Sequence, residues 1–118
     1  MADPLALTAA LVAALVAVDG DTLRDPATGQ RFRLAGIDAP ERGHRAECLR
    51  EWILAEAATR RLAAIAAGGA RLVYIGHVDR WNRPLVDLRT PEGATAADLL
   101  VAEGLAVRWD GAPHDWCG

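Results

Sequence analysis

The feature that most constrains this chain is a single long helical run. From Ala46 to Ala67 nearly every residue is a strong helix former, and Gly68-Gly69 then stops it. Leu49, Trp52, Ile53 and Ala57 recur at three-to-four spacing, which makes them the expected buried face, with Trp52 in the core. On either side the chain is too finely punctuated for a second helix of that length. A fold with one long helix among short strands is therefore mainly β with helices, in the α+β class.

The flanking segments read as strands. Leu5 to Val18 (LALTAALVAALVAV) is ambiguous between helix and strand; the β-branched residues of Val16–Val18 and the turn after them favour a strand. Thr22-Leu23, the turn Asp25–Gly29 and Arg31–Ile37 form a hairpin in which Phe32 and Leu34 alternate with Arg31 and Arg33. Arg31, Arg33 and Ala35 thus share one face. Arg71–Ile75 and Pro84–Leu88 are two further strands. Thr95-Ala96-Ala97-Asp98 is a capping box for a short helix ended by Gly104, and the tail after Trp109 is loop-like. Three strands, a long helix, two strands and a short helix is the plan of a five-stranded OB-fold barrel, with residues 1–118 as one domain.

The 118 residues are 52% hydrophobic and 25% charged, with a formal net charge of −3. That charge argues against a surface that is basic all over, the usual footprint of a nucleic-acid binder, but not against a local basic cleft. All 13 basic residues are arginine. The apolar run Leu5–Val18 is too short to span a bilayer comfortably, and MADPL lacks the basic start of a signal peptide, so we read the run as part of the fold.

Two acidic stretches remain, Asp19-Gly20-Asp21 and Asp38-Ala39-Pro40-Glu41. An EF-hand starting at Asp19 fails, because it would put Arg24 at the glycine position and Gln30 at the closing glutamate. Taken alone, DGDT is an ordinary turn. If the hairpin pairs, however, Asp21 and Asp38 lie at neighbouring strand ends, where two carboxylates and a backbone carbonyl suit Ca²⁺. Arg33 alone would be a solvated strand residue, and Arg83 alone a partner for Asp79 or Asp87. Together with Glu41 they are the parts for phosphodiester hydrolysis. The arginines grip phosphate oxygens, and a glutamate of ordinary pKa, about 4.3, can accept a proton from attacking water at neutral pH.

DGDT, RLAGIDAPE, DRWNRPL and LLVAEGLA, in that order from about Val16 to Ala106, closely resemble the staphylococcal nuclease (thermonuclease) family. The resemblance implies an OB barrel that hydrolyses DNA and RNA with Ca²⁺ and little sequence specificity. It implies Asp21 and Asp38 as Ca²⁺ carboxylates, the Ala39 carbonyl as a backbone ligand, and Asp19 contacting metal-bound water. It implies Glu41 as general base and Arg33 and Arg83 on the phosphate. The Arg42–Arg45 loop is shorter than is familiar there. Trp81 and Trp109 are candidates for stacking on bases, with packing as the alternative.

Cys48 and Cys117 admit three readings: a disulfide tying the tail to the long helix, a zinc site with His44 and His114, or two free thiols. A disulfide and the family resemblance favour a secreted or periplasmic protein. We expect a monomer with no membrane span. The rival functions are an OB-fold module that binds nucleic acid or protein without catalysis, and a stapled interaction domain using Trp81, Trp109 and Trp116.

Overall fold

A computed structural model describes residues 8–118. The elements are α1 (Ala9–Ala13), β1 (Val16–Asp19), β2 (Thr22–Arg24), β3 (Arg31–Leu34), β4 (Ile37–Asp38), α2 (Leu49–Ala67), β5 (Arg71–Val78), β6 (Pro84–Arg89), α3 (Ala96–Ala102) and β7 (Val107–Arg108). Five strands form one mixed sheet in the order β1-β2-β3-β6-β5, and β4 pairs with β7 in a separate ribbon. Only β3 and β6 run parallel. No ladder joins β1 to β5 among the described residues, so the sheet is open at the hydrogen-bond level where a closed barrel was expected.

The run expected to favour a strand divides. Thr8 caps a short helix, α1, and only Val16–Asp19 is extended; Leu5–Leu7 lie outside the described residues. The expected strand Arg31–Ile37 also breaks. Gly36 adopts φ 75°, a conformation open to glycine, and turns the chain out of the sheet. Ile37 and Asp38 then pair with Arg108 and Val107. The long helix starts three residues later than expected, with Cys48 as its N-cap.

The largest correction concerns the helix face. Leu49, Trp52 and Ile53 are exposed, Trp52 to 48%. The buried stripe is Glu51, Ala55, Ala58, Thr59, Leu62, Ile65 and Ala66. Small residues win this face because they let α2 lie close to the β1–β2 turn. A Cβ on Gly20 would sit 2.6 Å from the Ala58 Cβ and 2.9 Å from the Ala39 Cβ. Gly20 is thus required for space, and its close approach fixes where Asp19 and Asp21 emerge. Gly20→Ala is expected to lower stability by about 1–3 kcal/mol through overpacking. Urea midpoints of the two proteins measure this; an unchanged midpoint would mean the turn relaxes freely.

The core lies between the sheet and the helices. Leu23, Leu34, Ile37, Leu62, Leu72, Val86, Leu88 and Leu100 are its largest apolar members, all essentially inaccessible. The Thr95 hydroxyl accepts from Asp98 N (3.2 Å), the expected helix start. No helix among the described residues is long and apolar enough to cross a membrane.

Candidate active site

The open ends of β2, β3 and β4 and the loop before β6 surround a cleft of about 570 Å³. Asp19, Asp21, Arg33, Asp38, Glu41, Arg83, Trp81 and Trp109 all line it. Ala39 is buried beside Asp21, and its N–H donates to Asp21 Oδ2 at 3.0 Å. Two segments far apart in sequence, DGD and DAPE, are therefore joined by a direct hydrogen bond.

Asp21 is the most enclosed of the acids. Thr22 Oγ1 donates to its Oδ1 (3.2 Å), and Arg33 Nη1 lies 3.1 Å from its Oδ2. Burial, then the Asp19 carboxylate, push its carboxyl well above the ordinary value, against the pull of Arg33. Asp19 Oδ1 accepts from Asp21 N, which ties the two aspartates across Gly20. Arg33 is anchored too, donating to the carbonyls of Leu34 and Ile37, both at 3.0 Å. Glu41 is exposed, yet the cleft wall removes part of its water; that loss, and next the charge of Asp19, push its pKa up.

The opposite wall comes from the turn before β6. Asp79 Oδ2 accepts from Arg83 Nε at 2.6 Å, so the ion pair that was the ordinary alternative for Arg83 is present. Burial opposes ionisation of Asp79, but hydrogen bonds from Arg83 and Trp81 outweigh it and hold its pKa below the usual value. The Nη groups of Arg83 carry no protein acceptor among the described residues. Asn82, with φ 62°, makes the turn. Trp81 is 63% exposed, and the guanidinium carbons of Arg80 and Arg83 lie 4.2 and 5.2 Å from its ring centroid.

Residues 31–114 match the family described as staphylococcal nuclease homologue. The chain belongs to that family. No curated protein matches the chain. The family match takes in Arg33, Asp38, Ala39, Glu41 and Arg83 but begins after Asp19 and Asp21; these two reach the same cleft through the β1–β2 turn.

Two supports of this nuclease-family cleft lie outside the expected cation and phosphate residues. The first is Glu51, a buried carboxylate in the first turn of α2. Its Oε2 accepts from Glu41 N and its Oε1 from Glu47 N, both at 2.9 Å. Arg42 adds bonds to Glu56 and to the Val18 carbonyl, so the loop bearing Glu41 is pinned at several points. In sequence Glu51 is one more helix glutamate, and only its burial marks it. Glu51→Ala leaves two N–H groups without their acceptor and is expected to lower stability by about 1–3 kcal/mol. Urea denaturation of wild type and variant measures this; an equal midpoint would mean that the loop finds other partners.

The second support is the C-terminal tail. Cys48 and Cys117 form a disulfide, 69 residues apart in sequence, in place of the zinc or free-thiol alternatives. The tail then passes the cleft, and His114 N donates to Asp38 Oδ2 at 2.8 Å. His114 also stacks edge-on against Trp116. By loop-closure entropy the crosslink is worth about 4 kcal/mol. Cys117→Ser is expected to lower the unfolding free energy by about that much in chemical denaturation; a change below about 1 kcal/mol would mean that the tail hardly constrains the unfolded chain.

The chemistry of the cleft suits a hard cation: it offers carboxylate oxygens, and the carboxyl raised by burial and by a like charge, Asp21, is the one an adjacent cation would relieve. Its four acids do not bring three ligand atoms within 4.8 Å of one another, so two carboxylates with a backbone carbonyl and water is the set it can offer. Among the described residues one group of three has ligand atoms within 4.8 Å of one another, Glu47, Asp115 and Cys117. It is exposed, and with the Cys117 sulfur in the disulfide it offers two carboxylates.

Proposed function

We propose that this protein is a Ca²⁺-dependent nuclease that hydrolyses phosphodiester bonds of DNA and RNA with little sequence specificity, on one OB-type domain acting as a monomer. The observation that carries the reading is the facing of Asp21, Asp38 and Glu41 with Arg33 and Arg83 across a single cleft. Asp21, Asp38 and the Ala39 carbonyl would hold the cation, and Asp19 would orient its water. Bound there, Ca²⁺ supplies positive charge that neutralises a phosphate oxygen.

The chain's own residues do the rest. Glu41 takes the proton from the attacking water and so raises its nucleophilicity. Arg83, fixed through Nε by Asp79, presents its Nη pair to the phosphate. Arg33, held at the cleft by the Leu34 and Ile37 carbonyls, would present its guanidinium to a second phosphate oxygen. Both arginines meet more negative charge in the five-coordinate transition state than in the substrate, and this difference accelerates the reaction. Trp109 and Trp81, both exposed at the cleft, would stack on unpaired bases, Trp81 with the Arg80 and Arg83 guanidiniums already against its ring.

Incubating labelled single-stranded DNA with the purified protein, in Ca²⁺ and in chelator, tests the reading. Cleavage confined to Ca²⁺ is expected. Binding without cleavage at any Ca²⁺ concentration would make the protein a nucleic-acid-binding module instead.

A further inference from the structure

The arginines of this chain divide into two sets. Arg33, Arg42, Arg61, Arg83 and Arg108 each face a carboxylate. Arg31 is one of the remaining eight, which have no carboxylate ion pair among the described residues, and it is the one of those eight that lines both cavities described next. It is exposed and stands two residues before Arg33 on the same face of β3, about 7 Å away along the strand.

Arg31 also lies where two cavities meet. The active-site cleft is one. The other, about 610 Å³, lies between the tip of the β2–β3 hairpin and the turn before β6, and both share Arg31, Trp81 and Arg83. The remaining walls of the second cavity are Thr28, Gly29, Gln30 and Asn82. No carboxylate lines it, whereas four acids line the cleft. It is an open surface groove rather than an enclosed pocket, a form that suits a strand backbone passing across it. A hydroxyl, two amides and two guanidiniums suit an anion with several acceptor oxygens.

We propose that this hairpin-tip cavity is a second phosphate subsite, in which Arg31, with the Thr28 hydroxyl and the Gln30 and Asn82 amides beside it, holds the phosphodiester next along the strand from the one that Arg83 grips for cutting. The protein then binds a single strand several nucleotides long rather than an isolated ester. Trp81, exposed at the boundary, separates the two positions. The inference rests on the nuclease reading and adds to it a substrate-length preference set by Arg31.

The test is calorimetric titration in chelator, so that nothing is cleaved. The probes are a thymidine dinucleotide and a ten-nucleotide oligothymidylate. Wild type, Arg31→Ala, Arg31→Gln and Arg60→Ala are compared; Arg60 is exposed on α2 and lines neither cavity. Both Arg31 variants are expected to lose about fivefold in affinity for the long strand and little for the dinucleotide. Their dependence of log affinity on log salt should flatten by about 0.7. Arg60→Ala should match wild type. Unchanged long-strand affinity, or equal losses for both probes, would overturn the subsite. If wild type still cleaves with Ca²⁺, that failure leaves the nuclease reading intact. A wild-type protein that neither binds either probe nor cleaves would overturn both.

Discussion

Glu41→Gln is expected to reduce hydrolysis of single-stranded DNA by about two to four orders of magnitude, the usual worth of a positioned general base. The substitution keeps size and shape and removes the ability to take a proton at neutral pH. Stability should hardly change, because Glu41 is exposed and its backbone N–H, which is untouched, makes the bond to Glu51. Affinity for an oligonucleotide in chelator should also persist, since the arginines remain. The loss therefore appears in kcat with KM and the urea midpoint near wild type. Activity within about threefold of wild type would remove Glu41 from proton transfer.

Asp21→Asn is expected to raise the Ca²⁺ concentration for half-activation by at least about tenfold, the loss that follows even from disturbing a ligand's supports. Its effect on stability should run the other way. The folded pKa of Asp21 lies above its unfolded value, pushed there first by burial and then by Asp19. The stability tied to its protonation is present below the unfolded pKa and is lost as pH rises through the folded one. Above the unfolded pKa the native state therefore bears a cost at Asp21, either for ionising a buried carboxyl or for keeping its proton, and asparagine removes that cost while its carbonyl still accepts from Ala39 N. In chelator the variant should melt at a higher temperature than wild type. Added Ca²⁺ should then stabilise wild type and leave the variant nearly unmoved. Wild-type Ca²⁺ activation in Asp21→Asn would take this residue out of the cation site.

The local signals in the sequence were legible where one residue type has one physical use. Gly68-Gly69 ends α2 and Thr95 starts α3, as their turn and capping chemistry requires. The alternation around Phe32 puts Arg33 on the face that becomes the cleft. Periodicity misled on α2, because in so alanine-rich a helix two stripes have helical spacing. The bulky one, Leu49, Trp52 and Ile53, is the better core by transfer energy alone. The alanine stripe is buried because Gly20 brings the β1–β2 turn against it. A close approach between segments far apart in sequence leaves no local trace.

The same distinction applies to the cleft. Asp21, Asp38 and Glu41 could be placed together by assuming that the hairpin pairs, since strand ends then meet. The departure of Ile37-Asp38 into a ribbon with β7 was not legible: it depends on Gly36 and on a partner strand some 70 residues later. Glu51 was invisible because its role is set by two backbone N–H groups of the loop before it. The tail contact to Asp38 is likewise a backbone bond, at His114, which no side-chain pattern encodes.

The most direct measurement is a side-by-side digestion of one labelled single-stranded oligonucleotide by wild type and Glu41→Gln, each with Ca²⁺ and with chelator. The account predicts cleavage by wild type in Ca²⁺ alone, and almost none in the other three reactions. Equal cleavage by the two proteins, or cleavage by wild type that chelator leaves untouched, would contradict it.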